Sequence, residues 1–103
     1  REAAARVEVA PAVMAYLVDI CRATRTSPAV RLGVSPRGAT ALLRTSRVWA
    51  FLQGRGFVTP DDVKTMAPST LAHRLGLRAE ANLEGITAVN VISGVLAATP
   101  VPR

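Results

Sequence analysis

Three proline-marked helix starts, each followed by apolar residues at helical spacing, constrain this chain more than any other feature. Ser35-Pro36 sets a capping serine before a proline at the first helical position, where the missing N–H is one the helix could not have used. Thr59-Pro60-Asp61-Asp62 repeats the signal and adds a carboxylate three residues after the cap. Pro11 stands at the same kind of position, ahead of Val13, Leu17, Ile20, Cys21 and Thr24 at i, i+3 and i+4 spacing. The chain therefore reads as helical over most of its length.

The first helix is predicted over roughly Pro11 to Thr26, halted by Ser27-Pro28. Ala29 to Gly33 form a connector, either a helical turn or extended. The second helix starts at Pro36 and carries Ala39, Leu42, Leu43, Ser46, Trp49, Ala50 and Gln53 on a 3.6-residue period, with Gly54 and Gly56 at its end. Trp49 and Phe51 fall on different faces, so one is expected in the core and the other at the surface. Phe57-Val58 make a short extended piece before the third helix at Pro60. Pro68 predicts an end or kink near Ala67, with a fresh turn from Pro68 through His73 to Leu75. Leu77 to Gly85 reads as a loop or small turn. Thr87 caps a last helix, Ala88 to Ala98, with Val89, Ile92, Val95 and Leu96 as its apolar face. The expected fold is all-α: a small bundle of four main helices forming a single domain over 1–103.

Composition removes several functions. Half of the 103 residues are apolar, enough for one buried core and too many for a disordered chain. The single cysteine, Cys21, and single histidine, His73, provide neither a disulfide nor a zinc site, and Cys21 reads as a buried thiol. The only lysine, Lys64, follows Val63, so no phosphate-cradling loop ending in Gly-Lys is present. Capping accounts for the Asp61-Asp62 pair without metal or acid–base chemistry, and His73-Arg74 read as structural, with Arg74 a candidate contact to a neighbouring subunit. Apolar runs stop far short of the ~20 residues a membrane span needs, and no secretory leader opens the chain, so a cytoplasmic setting is expected. On its own the polypeptide is expected not to be an enzyme, and its ends suggest a piece of a longer protein.

The net charge is +6, and since Lys64 is the only lysine, the other twelve basic residues are arginines. Arg37 is distinctive among them. It occupies the second position of a helix whose free N–H groups already make that end positive, an unfavourable place for a cation by roughly 0.3–1 kcal/mol. Helical side chains lean toward the N-terminus, aiming its guanidinium and the open amides at one region that suits a phosphate. A carboxylate of this chain, or solvent, is the alternative partner.

Gly33-Val34-Ser35-Pro36-Arg37-Gly38, then Leu42-Leu43, Arg47, Gly54-Arg55, Phe57-Val58-Thr59-Pro60-Asp61-Asp62-Val63 and Leu71-Ala72-His73-Arg74, resemble in order and spacing the C-terminal lid subdomain of the MoxR family of AAA+ ATPases, over about Val13 to Pro102. The resemblance implies a helical lid beside an N-terminal AAA+ core absent from this sequence, with ATP and Mg bound by the full-length protein. It implies that Arg37 matches the sensor-two arginine that contacts the γ-phosphate, and that Gly33, Val34, Ser35 and Pro36 line the approach to the phosphates. Tyr16 and Ile20 are expected near adenine, with ordinary core as their alternative. The resemblance further implies homo-hexameric rings that remodel or mature client proteins, some with von Willebrand A-type domains. Gly38 departs from the alanine common in the family. A competing reading, a free-standing basic helical module that binds nucleic acid, has scattered arginines and few stacking aromatics against it.

Overall fold

The computed structural model describes residues 2–102; Arg1 and Arg103, the two ends of the expected domain, lie outside the described residues. The elements in order are α1 (Glu2–Ala5), α2 (Pro11–Thr26), β1 (Val30–Leu32), α3 (Pro36–Leu52), α4 (Pro60–Leu71), a 3-10 turn (Ala72–Arg74), β2 (Gly76–Leu77), α5 (Ala79–Leu83) and α6 (Ala88–Ala98). The helix starts follow from local cap chemistry. The Ser35 hydroxyl accepts from the Gly38 N–H at 3.4 Å, and Thr59 with Asp62 closes a reciprocal box at the head of α4. Thr87 and Asn90 close the same box on α6.

The core gathers Tyr16, Leu17 and Ile20 of α2, Leu42 and Ala50 of α3, Val63, Ala67 and Leu71 of α4, and Ile92 of α6 around one centre. Leu42 and Ala50 lie with Gly38 and Ser46 on the inner stripe of α3, spaced by four residues.

Three expectations need correction. The fold is mostly helical but not all-α: among the described residues it has four long helices, α2, α3, α4 and α6, two short ones, α1 and α5, and a two-stranded sheet. Of the two forms expected for the Ala29–Gly33 connector, the extended one is found, as β1, which pairs antiparallel with β2 through Val30↔Leu77 and Leu32↔Gly76. Strands of three and two residues carry no readable alternation, and their pairing spans more than forty positions, so periodicity could not reveal them.

The third helix does not end at Ala67 but runs through Pro68 to Leu71 and passes into the 3-10 turn. Proline removes one bond to the carbonyl four residues back, yet the following turn is held by packing. Leu71 is fully buried, and the Thr70 hydroxyl meets that of Thr45 on α3 at 3.0 Å. Finally, α6 buries Val91, Ile92 and Val95, while Val89 faces solvent. Helix α6 is apolar nearly all round, so its own sequence does not select a face; contact with α2 and α4 does. Trp49 is half-buried and Phe51 exposed.

Candidate functional site

The head of α3 is built by three segments distant in sequence. The loop Gly33–Ser35 arrives from β1 and is fastened to the end of α2. The Thr24 hydroxyl, fully buried, donates to the Cys21 carbonyl at 2.6 Å and accepts from the Val34 N–H at 3.0 Å. The Arg25 guanidinium donates to the Val34 carbonyl at 3.2 Å. Both backbone groups of Val34 are thereby held, and its side chain is fully buried. Gly33 is required by close approach: a Cβ there would lie 2.6 Å from the Arg25 Cγ and 3.0 Å from its Cα.

Ser35, Pro36 and Arg37 emerge at the surface from this fixed base. Among the described residues, no carboxylate or carbonyl accepts a hydrogen bond from the Arg37 side chain, and the only ion pair joins Arg55 to Asp62. The first turn of α3 contains no acidic residue, whereas that of α4 contains Asp61 and Asp62. The start of α3 therefore presents a partly positive helix end together with an unpaired guanidinium, an arrangement suited to an anion.

The third segment is the 3-10 turn after α4. Gly38 is buried, and a Cβ on it would stand 2.4 Å from the Val34 Cγ1 and 3.4 Å from the Arg74 Cδ. Arg74 thus lies along the first turn of α3, where it adds a second exposed cation to the same end of the molecule. The β1–β2 ladder brings it there, because β1 leads into the Gly33 loop and β2 leaves the turn that carries Arg74.

Of the residues expected at the site, Gly33, Ser35, Pro36 and Arg37 come together at the head of α3, and Val34 joins them only as an internal anchor. Tyr16 and Ile20 do not join them. They are 1% and 0% exposed, inside the core cluster, so neither side chain is open to a ligand. Burial, and then the nearby Asp61 charge, push the Tyr16 phenol above its ordinary value. Thr24, Arg25 and Arg74 were missed as site residues. Thr24 does fall on the periodic inner stripe of α2, where a polar residue signals a buried hydrogen bond; Arg25 and Arg74 carry no such local mark.

Cys21 is a buried thiol whose pKa burial raises to about 11, against a smaller opposing effect of Arg25. Asp62 is buried as a cap and partner of Arg55. Among the described residues no cluster of metal-ligating side chains is found, and no helix is long and apolar enough to cross a membrane.

Known proteins resemble the chain as a whole. The family model described as the AAA lid domain matches residues 22–95. The uncharacterised protein YeaC of Bacillus subtilis is 45% identical over 87 residues, which is 84% of this chain and 27% of that protein. Chaperone MoxR1 of Mycobacterium tuberculosis is 32% identical over 112 aligned positions, covering 100% of this chain and 30% of its own length. A crystal structure of a candidate ATPase from Cytophaga hutchinsonii superposes with a TM-score of 0.92 at 26% identity, over 99% of this chain and 34% of that one. The chain thus spans about a third or less of each of these proteins. Motifs, helical fold and relatives agree: the chain belongs to the AAA lid domain family, and it is similar to the lid-sized part of proteins named MoxR.

Proposed function

We propose that this chain is the C-terminal lid of a MoxR-type AAA+ ATPase and that Arg37 is its sensor-two arginine. The observation that carries the reading is the exposed, unpaired Arg37 guanidinium at the head of α3, on a loop whose backbone Thr24 and Arg25 hold from below. A rigid base matters here, since a contact that reports nucleotide state must change because the ligand changes and not because the loop drifts. An N-terminal core binds ATP with Mg; Arg37, beside Ser35 at the partly positive start of α3, contacts the γ-phosphate. Hydrolysis removes that phosphate and the contact, and the lid then shifts relative to the core. In a cytoplasmic homo-hexameric ring, the shift drives remodelling or chaperone-like maturation of client proteins, among them ones with von Willebrand A-type domains. The lid alone turns over no nucleotide, because it supplies one contact to a site whose other groups belong to the core.

Arg37→Ala in the full-length protein tests this. ATP turnover is expected to fall by one to several orders of magnitude, as loss of a transition-state arginine does in phosphoryl transfer, with the thermal midpoint nearly unchanged. Turnover within about twofold of the unaltered protein would reject the assignment.

A further inference from the structure

Thr24 closes the buried stripe of α2, and a hydroxyl in such a place is costly unless its hydrogen-bonding capacity is used. Here both sides of it are used: the bond given to the Cys21 carbonyl ties Thr24 to its own helix, and the bond taken from the Val34 N–H ties that helix to a loop ten residues away. A hydroxyl that donates becomes a better acceptor, so the two bonds reinforce each other. Arg25, the next residue, takes the other side of the same loop position. Its Nη2 donates to the Val34 carbonyl, and its stem packs where Gly33 has no side chain. Two consecutive residues at the end of α2 thus grip both polar backbone groups of Val34.

The grip reaches Arg37 with little slack, because only Ser35 and Pro36 intervene. Ser35 is extended, at φ −78° and ψ 169°, and its hydroxyl is bonded to the Gly38 N–H. The ring of Pro36 fixes its φ. On the other side of Arg37, Gly38 is buried against the Val34 side chain. Each neighbour of Arg37 therefore leads back to Val34, and Val34 leads back to α2. Helix α2 in turn packs on α3, α4 and α6, so a displacement delivered to its end enters the centre of the domain.

We propose that Thr24 and Arg25 are positioning residues for Arg37, on whose sensor reading this role rests, and that they make the end of α2 the element that receives the movement of Arg37 when the γ-phosphate is lost. Both act through Val34 and not on the nucleotide. A misplacement of ~1 Å at a reacting group, caused from outside it, costs up to about 100-fold in rate, so slack in the loop is read directly in turnover. A purely structural role would weaken the fold and leave Arg37 aligned in every folded molecule. A positioning role lowers turnover in the folded protein, and does so only while Arg37 is present to be aimed.

The test is steady-state ATP turnover in the full-length protein, well below the thermal midpoint of each variant. Thr24→Val removes the acceptor for the Val34 N–H. Arg25→Met keeps the stem beside Gly33 and removes the donor; because Arg25 is exposed, this variant folds even if Thr24→Val does not. Both are expected to lower kcat by about 5–100-fold, with KM for ATP changed by less than about threefold. Thr24→Ser, which retains the hydroxyl, is expected to stay within about twofold of the unaltered protein. In an Arg37→Ala background, Thr24→Val and Arg25→Met are expected to cost less than about twofold more. Hydrogen exchange at the Gly38 amide, which neither residue touches, is expected to quicken about tenfold in Thr24→Val. Equal fold-losses with and without Arg37, or an unchanged Gly38 amide, would overturn the positioning role by showing that the effect is general or stops at Val34. A fall in Arg37→Ala with none in Thr24→Val or Arg25→Met would sink this role alone. No fall in Arg37→Ala would sink the sensor reading and this role with it.

Discussion

Val34 and Gly38 form a size-matched pair beneath Arg37, and a double-mutant cycle measures the match. Alanine at position 38 gains about 1 kcal/mol of helix propensity. Its Cβ, however, falls 2.4 Å from the Val34 Cγ1, where carbon atoms normally rest ~3.5–4.0 Å apart. Val34 yields poorly: it is β-branched, fully buried, and its N–H and carbonyl are both bonded to the end of α2. Overpacking of this kind costs about 1–3 kcal/mol, so Gly38→Ala alone is expected to destabilise by roughly 0–2 kcal/mol despite the propensity gain. Val34→Ala alone removes two buried methyl groups and leaves a void, a loss of about 2 kcal/mol. Together, the new methyl occupies the space the old ones vacated, so the double variant is expected to lose only about 0–1 kcal/mol, with a coupling near 2 kcal/mol. Urea unfolding followed by far-ultraviolet circular dichroism reads all four corners. Additivity within about 0.5 kcal/mol, or stabilisation by Gly38→Ala alone, would show that Val34 moves freely and that the loop under Arg37 is not rigid.

Other substitutions separate polar groups that matter from those that do not. Thr24→Val leaves the buried Val34 N–H without an acceptor and is expected to cost about 1–3 kcal/mol in the same unfolding assay. Tyr16→Phe is expected to be neutral within about 0.5 kcal/mol or stabilising, because the buried Tyr16 hydroxyl has no partner among the described residues. The Cys21 thiol, with its pKa raised from 9.0 to about 11, should resist iodoacetamide at pH 8 in the folded chain and react promptly in urea. The same shift has a defined sign for stability: its contribution is complete below pH 9 and is lost as pH rises toward 11, where the unfolded chain ionises first.

What was legible in the sequence is what local chemistry decides. Pro11, Ser35-Pro36, Thr59-Pro60 and Thr87 mark helix starts because caps act over three or four residues, and all four helices begin at the expected positions. The place of Arg37 on the first turn of α3 follows from that register alone. Features set by distant partners were not legible. The β1–β2 pairing, the passage of α4 through Pro68 and the outward turn of Val89 each depend on packing against another element. Periodicity puts Tyr16 and Ile20 on a face of α2, but only the assembled core shows that this face is closed. The contribution of Thr24 to the site spans ten positions, and Arg74 reaches α3 from thirty-six residues beyond Gly38.

The two proline-started helices α3 and α4 resolve the same electrostatic problem in opposite ways. At the head of α4, Asp61 and Asp62 lie in the first turn, and Asp62 both accepts from the Thr59 N–H and holds Arg55, so acidic charge there answers the partly positive helix end and a cation of the same chain. At the head of α3 the cap is neutral, the first turn has no acid, and the added charge is the positive one of Arg37 with Arg74 alongside. A chain optimised only for stability would place a carboxylate there, as it does twenty-four residues later at Pro60. The unfavourable term is about 0.3–1 kcal/mol, a fraction of the stability of a small domain, and so can be retained without unfolding it. Its sign reverses when an anion approaches, since the helix dipole and the guanidinium then act together. The end of α3 is accordingly weakest in the isolated lid and strongest against a phosphate, which is the differential a nucleotide-sensing contact needs, because a group equally satisfied in both states would transmit nothing.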